Sequence, residues 1–366
     1  MRVLVVNAGS SSLKLSVLDE GDELVVSENV PAAAGRIDEQ ALRDVIRRGG
    51  GIDAVGHRIV HGGSEFVESV VVDRDVTRRL AALSDLAPLH QPKSLAALEA
   101  VTRALPGTAA VACFDTAFHA GIPAAASTYA LPAEWRKRWP LRRYGFHGLS
   151  HAYASRRAAE LLDTAIDALR VVTCHLGAGA SLAAVAAGRS ADTTMGFTPL
   201  EGLVMATRSG SVDPGLVLWL EEHIGMPPSE LASTLEHRSG LLGLTGDADM
   251  KTVLEAEAAG DPDAALGVEV YLHRVRAGIA AMAAAMGGLD ALVFTGGVGE
   301  HAASIRARSV ERLGFLGVAV DAAANGSPRL DAEIGSPDAP ARTFVIEARE
   351  DLQIAHDVRA LLAPSP

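Results

Sequence analysis

Several charged side chains in this sequence recur inside glycine-flanked turns. Arg58 lies in His57-Arg58-Ile59-Val60-His61-Gly62-Gly63, between two histidines, and His90 lies in the rigid turn Ala87-Pro88-Leu89-His90-Gln91-Pro92. His147 follows Arg142-Arg143-Tyr144-Gly145-Phe146, and Arg208 sits in the hydroxyl-rich loop Ala206-Thr207-Arg208-Ser209-Gly210-Ser211. A positive charge between apolar neighbours is costly unless an anion visits it, and the planar double donation of arginine suits carboxylates and phosphates. Singly, each of these residues is more often a structural hydrogen-bonder or a solvated side chain. Their number and shared setting argue for an anion-handling site. Asp115 closes the apolar run Ala109 to Phe114, at the strand end where α/β folds place chemistry.

The turns that would meet a phosphate come in related copies. In Val3 to Val17 an apolar strand runs into Asn7-Ala8-Gly9-Ser10-Ser11-Ser12, then resumes alternation past Lys14. Gly9 would let main-chain N–H groups approach an anion, Lys14 adds a positive charge, and Asn7 could offer a metal its side-chain oxygen. A serine-rich hairpin turn is the plain reading of that segment alone. A second copy, Val171 to Val185, repeats strand, glycine turn, Ser-Leu and strand, through His175-Leu176-Gly177-Ala178-Gly179. A third turn, Thr295-Gly296-Gly297-Val298-Gly299-Glu300-His301, follows an apolar run and precedes a helical pattern, the order that suits phosphate binding. Together the three turns point to a duplicated nucleotide-binding fold.

The elements that must position these turns alternate between strand and helix. Helices are expected over Asp38 to Arg48, Ser94 to Leu105 with Ser94 as cap, Ala264 to Met286, and Asp351 to Leu362. Strands are expected over Ala54 to Val60, Ala109 to Phe114 and Arg342 to Glu347. Arg136 to His151 reads as a loop leading into a helix near Ser150, and Asn325 to Ala341 as a surface loop. The stripe Val268, Leu272, Val275, Ile279, Met282 and Met286 reads as core.

Composition bounds the partners. A chain of 366 residues with 48% hydrophobic content exceeds one ordinary core, so two domains are expected. The 33 basic against 45 acidic residues give −12, which disfavours nucleic acid and anionic membrane. Cys113 and Cys174 lie in apolar runs and read as buried reduced thiols, which fits a reducing compartment. With a strand starting two residues after Met1 and no stretch apolar and long enough to span a bilayer, the expected location is cytoplasmic.

Read together, the segments Asn7 to Lys14, Gly56 to Gly63, Ala87 to Pro92, Phe114 to His119, Arg142 to His151, His175 to Ser181, Asp192 to Leu203, Thr207 to Gly210, Thr295 to Glu300 and Glu350 to Ala355 resemble the acetate kinases. This is the acetate/propionate kinase group of the superfamily that holds sugar kinases and actin. The resemblance covers the chain in collinear order. It implies two actin-like ribonuclease-H-type α/β domains with mixed sheets and an inter-domain cleft, divided as residues 1–119 plus 352–366 and residues 120–351. It also implies reversible phosphoryl transfer from ATP to acetate with Mg²⁺, Mn²⁺ being able to substitute, and a homodimer.

By the same resemblance Asn7 and Glu350 serve the metal, and Arg58 and Arg208 bind carboxylate and phosphoryl oxygens. His147, Asp115 and His90 act at the transferring group. An apolar cup for the methyl group corresponds to Val60, Leu89, Phe146 and Pro199. The nucleotide is assigned to Lys14, His175, Leu176, Gly177, Ala178, Gly179, Asp249, Met250, Lys251, Gly297, Val298, Gly299, Glu300 and His301. The residue types suit the chemistry, because a carboxylate with a reference pKa near ~4 needs no general base, whereas charge on the transferring group needs donors. Asp115 is read as orienting groups, with an acyl-phosphate nucleophile as the alternative.

The chain departs from the family pattern at Ala178, Lys251, Gln91, Ala206 and Ser211, and is some tens of residues shorter than the family's usual length. ATP remains the expected donor, with pyrophosphate or another nucleoside triphosphate as the alternative. A propionate kinase is the alternative on the acceptor side. A non-catalytic nucleotide switch shares the fold but does not need Arg58, His147 and Arg208 together.

Overall fold

The computed structural model describes residues 1–8, 12–33, 36–86, 91–326 and 328–363. The chain forms two compact units. The first comprises Met1–Ala120, Phe146–Tyr153 and Arg349–Pro366, and the second Gly121–Gly145 and Ala154–Ala348. This division places residues 146–153 and 349–351 with the first unit, where the sequence boundary had them in the second. The reason is local: Gly148 N donates to Asp115 O (2.9 Å), and the His119 ring bonds Phe146 O (3.1 Å), so this segment is fastened to the end of the Asp115 strand. A Cβ on Gly148 would meet Asp115 O at 2.2 Å, so only glycine lets the helix Gly148–Leu161 start there.

In the first unit the strands are β1 (Val3–Ala8), β2 (Ser12–Leu18), β3 (Leu24–Ala33), β4 (Arg36–Ile37), β5 (Ala54–Ile59), β6 (Val70–Val71) and β7 (Ala109–Phe114). Their order is β4-β3-β2-β1-β5-β7-β6. β1, β5 and β7 run parallel, while β2 and β3 pair antiparallel beside β1 and β6 pairs antiparallel with β7. In the second unit β8 (Arg170–Leu176), β9 (Ala180–Ala186), β10 (Arg189–Thr193), β11 (Ala291–Thr295), β12 (Ala332–Glu333) and β13 (Arg342–Val345) take the order β10-β9-β8-β11-β13-β12. Here too a hairpin-linked antiparallel trio adjoins a parallel trio, β8, β11 and β13, with an antiparallel edge strand. The repeat legible in the glycine turns is therefore a repeat of sheet topology.

Each sheet buries apolar faces under helices. Leu4, Val6, Leu13, Leu15 and Val55 pack with Leu42, Val45, Ala97 and Val101 from the helices Glu39–Gly49 and Gln91–Ala104. On the opposite face Val3, Val5, Ala54, Val111 and Cys113 meet Ile354, Ala355 and Val358 of the closing helix Glu350–Leu362. Gly56 belongs to that face because Ile354 Cγ2 lies 2.3 Å from where a Cβ would be. In the second unit the 25-residue helix Pro262–Met286 buries Val268, Leu272, Val275, Ile279 and Met282 of the stripe expected to be core, while Met286, in the last turn, is only half-buried.

Several element boundaries differ from the sequence reading. The helix expected to be capped by Ser94 begins at Gln91, since Pro92 fits the first turn, and Ser94 is buried inside it. A short helix, Ala133–Arg138, occupies part of the expected loop, and the following helix starts at Gly148 instead of near Ser150. The expected surface loop after Asn325 contains β12, paired to β13. Among the described residues no helix is long and apolar enough to cross a membrane.

Candidate active site

Strand register in the first unit brings four of the expected residues together. β1 pairs in parallel with β5 so that Val6 faces His57, which sets Asn7 and Arg58 at neighbouring strand ends, and β7 delivers Asp115 one residue past its end. Arg58 donates through Nε to Asp115 Oδ1 (3.0 Å), through Nη2 to Asp115 Oδ2 (2.6 Å) and through Nη1 to Asn7 Oδ1 (3.1 Å). Glu350 reaches the same cluster from the first turn of the closing helix. Its Oε2 accepts from Asn7 Nδ2 (3.2 Å) and lies 3.5 Å from Arg58 Nε. Asp115 is held in place by its main chain, with N bonded to Ile59 O (3.0 Å) and O accepting from Gly148.

The electrostatics follow from burial. Desolvation pushes the Asp115 carboxyl up to about 6, against the opposing pull of Arg58, and the nearby Glu350 adds to the rise. Burial works against the Arg58 charge, but Asp115 and Glu350 more than reverse that and hold its pKa above the ordinary value. The cluster is thus a cation with two carboxylates, and its oxygen donors are of the kind a hard divalent ion takes. Among the described residues no group of three or more His, Cys, Asp or Glu side chains is arranged to hold a metal. Mg²⁺ does not require one, because it is commonly bound through one or two carboxylates together with substrate phosphates and water. Glu350 and Asn7 fit that donor set. The amide of Asn7 presents N–H to Glu350 and oxygen to Arg58, so ligation through Oδ1 needs the amide turned over.

His147 is half-buried and has φ +55, a left-handed backbone in a non-glycine residue, the kind of local strain that collects at working sites. Its neighbour Phe146 is buried with its ring edge-on to His61 (5.4 Å). Val60 is half-buried in the same unit. His90 and Leu89 lie outside the described residues, as do Gly9, Ser10 and Ser11 of the first glycine turn. Lys14 is exposed and directly opposite Asn7 in the β1–β2 ladder.

The second unit holds Arg208, Pro199 and the other glycine turns. Arg208 donates to Pro199 O (2.8 Å) and lies 3.4 Å from Glu236 Oε1, while burial lowers its pKa. The Asp192–Gly202 run is closed by a clamp that sequence reading missed. Glu201 accepts from Tyr129 Oη (2.6 Å) and Arg143 Nη2 (2.7 Å), Tyr129 Oη accepts from Phe197 N (2.8 Å), and Arg143 Nη1 donates to Met195 O (2.9 Å). The sequence signal was the run of small and polar residues itself, which needs such long-range partners to hold one shape.

A cavity of about 940 Å³ gathers Gly177, Ala178, Asp249, Met250, Lys251, Gly297, Val298 and His301 from the expected nucleotide set. It is completed by Ala206, Thr207, Leu241, Leu254 and Tyr271, which the sequence reading did not assign to it. Tyr271 was hidden by its helical spacing, since one ring serves both core and cavity wall. Ala206 N donates to Ala178 O (3.1 Å), so two of the departures from the family pattern touch each other at this wall. His175 is half-buried, Gly179 O accepts from Gly177 N within the turn, and Leu176 and Gly299 are buried; none of them lines the cavity. Glu300 does not line it either: its Oε1 accepts from Gly296 N (3.0 Å) and Ala348 N (2.9 Å), tying the third glycine turn to the chain after β13. Gly296 has φ +77 and would place a Cβ 2.8 Å from Leu176 O. Asp249 caps its helix through Lys251 N (3.1 Å), leaving the Lys251 ammonium exposed at the cavity rim.

The model of the acetokinase family matches residues 26–356. The chain is 43% identical to an acetate kinase of Nostoc punctiforme, covering 97% of this chain and 98% of the relative, and 42% identical to one of Thermotoga maritima over 99% of each. Among solved structures it matches an acetate kinase of Porphyromonas gingivalis (TM-score 0.91, 35% identity, 99% of each chain) and a propionate kinase of Francisella tularensis (TM-score 0.92, 35% identity, 98% of this chain and 99% of that one). With near-full-length likeness in both sequence and fold, this chain belongs to the acetokinase family.

Proposed function

We propose that the protein transfers the γ-phosphoryl group of ATP reversibly to acetate, giving acetyl phosphate and ADP, by direct in-line transfer with Mg²⁺ or Mn²⁺. The observation that carries this reading is the Arg58 cluster: a guanidinium held by a buried carboxylate at a strand end, with Glu350 and Asn7 beside it. Acetate arrives ionised, so the task is to bring an anion to a polyphosphate and to stabilise charge spread over the equatorial oxygens. Arg58 and Arg208 serve as the cationic donors, with His147, and His90 from outside the described residues, as further donors. Bound Mg²⁺ would supply charge neutralisation on the phosphates, held by Glu350 and Asn7. Lys14, opposite Asn7, is assigned to the phosphates as well.

Both oxygens of Asp115 accept hydrogen bonds from Arg58, so this carboxylate is better suited to fixing the guanidinium than to attacking phosphorus. That favours direct transfer over an acyl-phosphate enzyme. The cavity of about 940 Å³, with apolar walls at Leu241, Met250, Leu254 and Val298, supports a nucleotide over pyrophosphate, which has no apolar body to bury. Acetate is preferred over propionate as the acceptor, since the curated relatives are acetate kinases. Val60 and Phe146, with Pro199 and Leu89, are assigned to the methyl group.

The working form is assigned as a cytoplasmic homodimer. Two observations support it: the cysteines are buried free thiols, and the helix Pro214–Ile224 has no buried residue while exposing Leu216, Leu218, Trp219 and Ile224. A helix this short is held mainly by packing, and its own unit leaves even Val217 and Leu220 only half-buried. ADP release measured with and without acetate tests the reaction, with acetyl phosphate trapped as its hydroxamate. Release that ignores acetate would make the protein a nucleotide switch instead, and size-exclusion mass measurement tests the dimer.

A further inference from the structure

The most deeply buried charge in the second unit is not at the site. Arg306, on the helix Ala303–Val310, is 1% exposed and the largest fully buried side chain of the described residues. Its hydrogen bonds run from Nε to Asn325 Oδ1 (2.8 Å), from Nη2 to Asn325 O (2.8 Å), and from Nη1 to Gly299 O (2.9 Å) and Glu300 O (2.9 Å). Every acceptor is neutral. Among the described residues no carboxylate pairs with this guanidinium, whereas other arginines of the unit, such as Arg143, Arg170 and Arg308, each hold one.

The fork has a structural use, because the carbonyls of Gly299 and Glu300 are left without helical partners at the end of the short helix Gly296–His301. Their partial negative charge offsets part of the cation. A net positive charge nevertheless remains inside the protein with almost no contact with water, and burial works against it. It sits directly behind a turn whose Gly297, Val298 and His301 line the large cavity. A field of this kind is useful only if an anion comes to the other side of the turn.

We propose that Arg306 is a positioning residue that acts through the turn Gly296–His301, both fixing its carbonyls and supplying an internal positive charge that sets affinity for the polyphosphate part of the nucleotide. This rests on reading the cavity as a nucleotide site. Arg306 touches no ligand itself, and its effect should grow with ligand charge.

Asn325→Asp separates the charge from the fork. It keeps the guanidinium but turns its Asn325 Oδ1 partner into a carboxylate; the bond from Asn325 Nδ2 to Ala303 O (2.8 Å) is lost, a local cost that thermal melting and the uncharged ligand adenosine both report. Binding of ATP, ADP, AMP and adenosine would be measured by calorimetry on the full chain, together with thermal melting. For Asn325→Asp the expected result is about tenfold weaker ATP, a smaller loss for ADP, and adenosine unchanged within about twofold. Arg306→Gln should lose the same graded preference, and Arg306→Lys should recover much of the gap between ATP and adenosine even if it melts lower. Equal loss across the four ligands would overturn the proposal, because it would mean the turn alone was disturbed. Unchanged ATP affinity in Asn325→Asp, or in a folded Arg306→Gln, would overturn it as well. A wild-type protein that binds none of the four would sink the nucleotide reading, and this inference with it.

Discussion

Arg58 grips both carboxylate oxygens of Asp115 along one edge of its guanidinium, at 3.0 and 2.6 Å, across 57 residues of chain. Because the carboxylate is buried, it can neither swing away nor be replaced by water, and the arginine is presented in one orientation. Loss of the arginine therefore has two consequences that must be measured separately. Arg58→Ala should lower kcat/KM for acetate by about a hundredfold or more, as removal of one transition-state donor commonly does. It should also destabilise the first unit by about 3 kcal/mol unless Asp115 takes up a proton. Arg208→Ala should show the same kinetic loss, and lysine should rescue either poorly, since it cannot donate in a plane. Near-wild-type turnover in a folded Arg58 or Arg208 variant would remove these residues from the site.

Glu350 and Asn7 share one hydrogen bond beside that pair. Glu350→Gln and Asn7→Ala are expected to raise the Mg²⁺ concentration needed for half-maximal rate far more than the KM for acetate. A metal titration at saturating acetate checks this; parallel changes in both constants would place the ion elsewhere.

Val60 is half-buried and β-branched, with little freedom to move aside. One methylene changes discrimination by only about 1–3 kcal/mol, so propionate should be a poorer substrate and butyrate poorer again, without exclusion. Val60→Ala should shift preference toward propionate mainly through a lower propionate KM. Values of kcat/KM for the three acids on both proteins decide it, and an unmoved ratio would show that Val60 does not meet the acyl chain.

Three buried histidines, His57, His61 and His119, are each held near pKa 4 by desolvation, and both ring nitrogens of His57 lack partners among the described residues. A depressed pKa means that the unfolded chain binds more protons between pH 4 and the ordinary value of 6.5. Stability from these rings is complete above about pH 6.5 and is lost as pH falls toward 4. Asp115, raised to about 6, acts in the opposite sense over part of that window and blunts the slope. The expected outcome is a melting temperature that is flat at neutral pH and falls steadily between pH 6.5 and 4.5. His57→Phe should flatten part of that fall and raise the neutral melting temperature, because the orphaned ring N–H is gone. A melting curve insensitive to pH across this range would contradict the assignment.

What the sequence determined by itself was everything that rests on short-range chemistry. Glycine turns between apolar strands, the two hairpins, the helix Pro262–Met286 with its buried stripe, and Asp115 at the end of β7 were legible, because turn residues, alternation and helical spacing act over a few positions. The same local spellings carried the family. The resemblance named residues that should share a site, but only tertiary structure decided how they meet. Glu350 reaches Asn7 across 343 residues only because the closing helix packs on the sheet face that carries Val3 and Val5. Residues 146–153 belong with the first unit through hydrogen bonds at Asp115 and His119 that no periodicity encodes. The clamp of Tyr129, Arg143 and Glu201, the cavity wall at Tyr271 and the buried charge of Arg306 are of the same kind. Each depends on strand order and helix packing, which bring residues distant in the chain within a few ångströms, whereas propensity and pattern describe only each residue's neighbours.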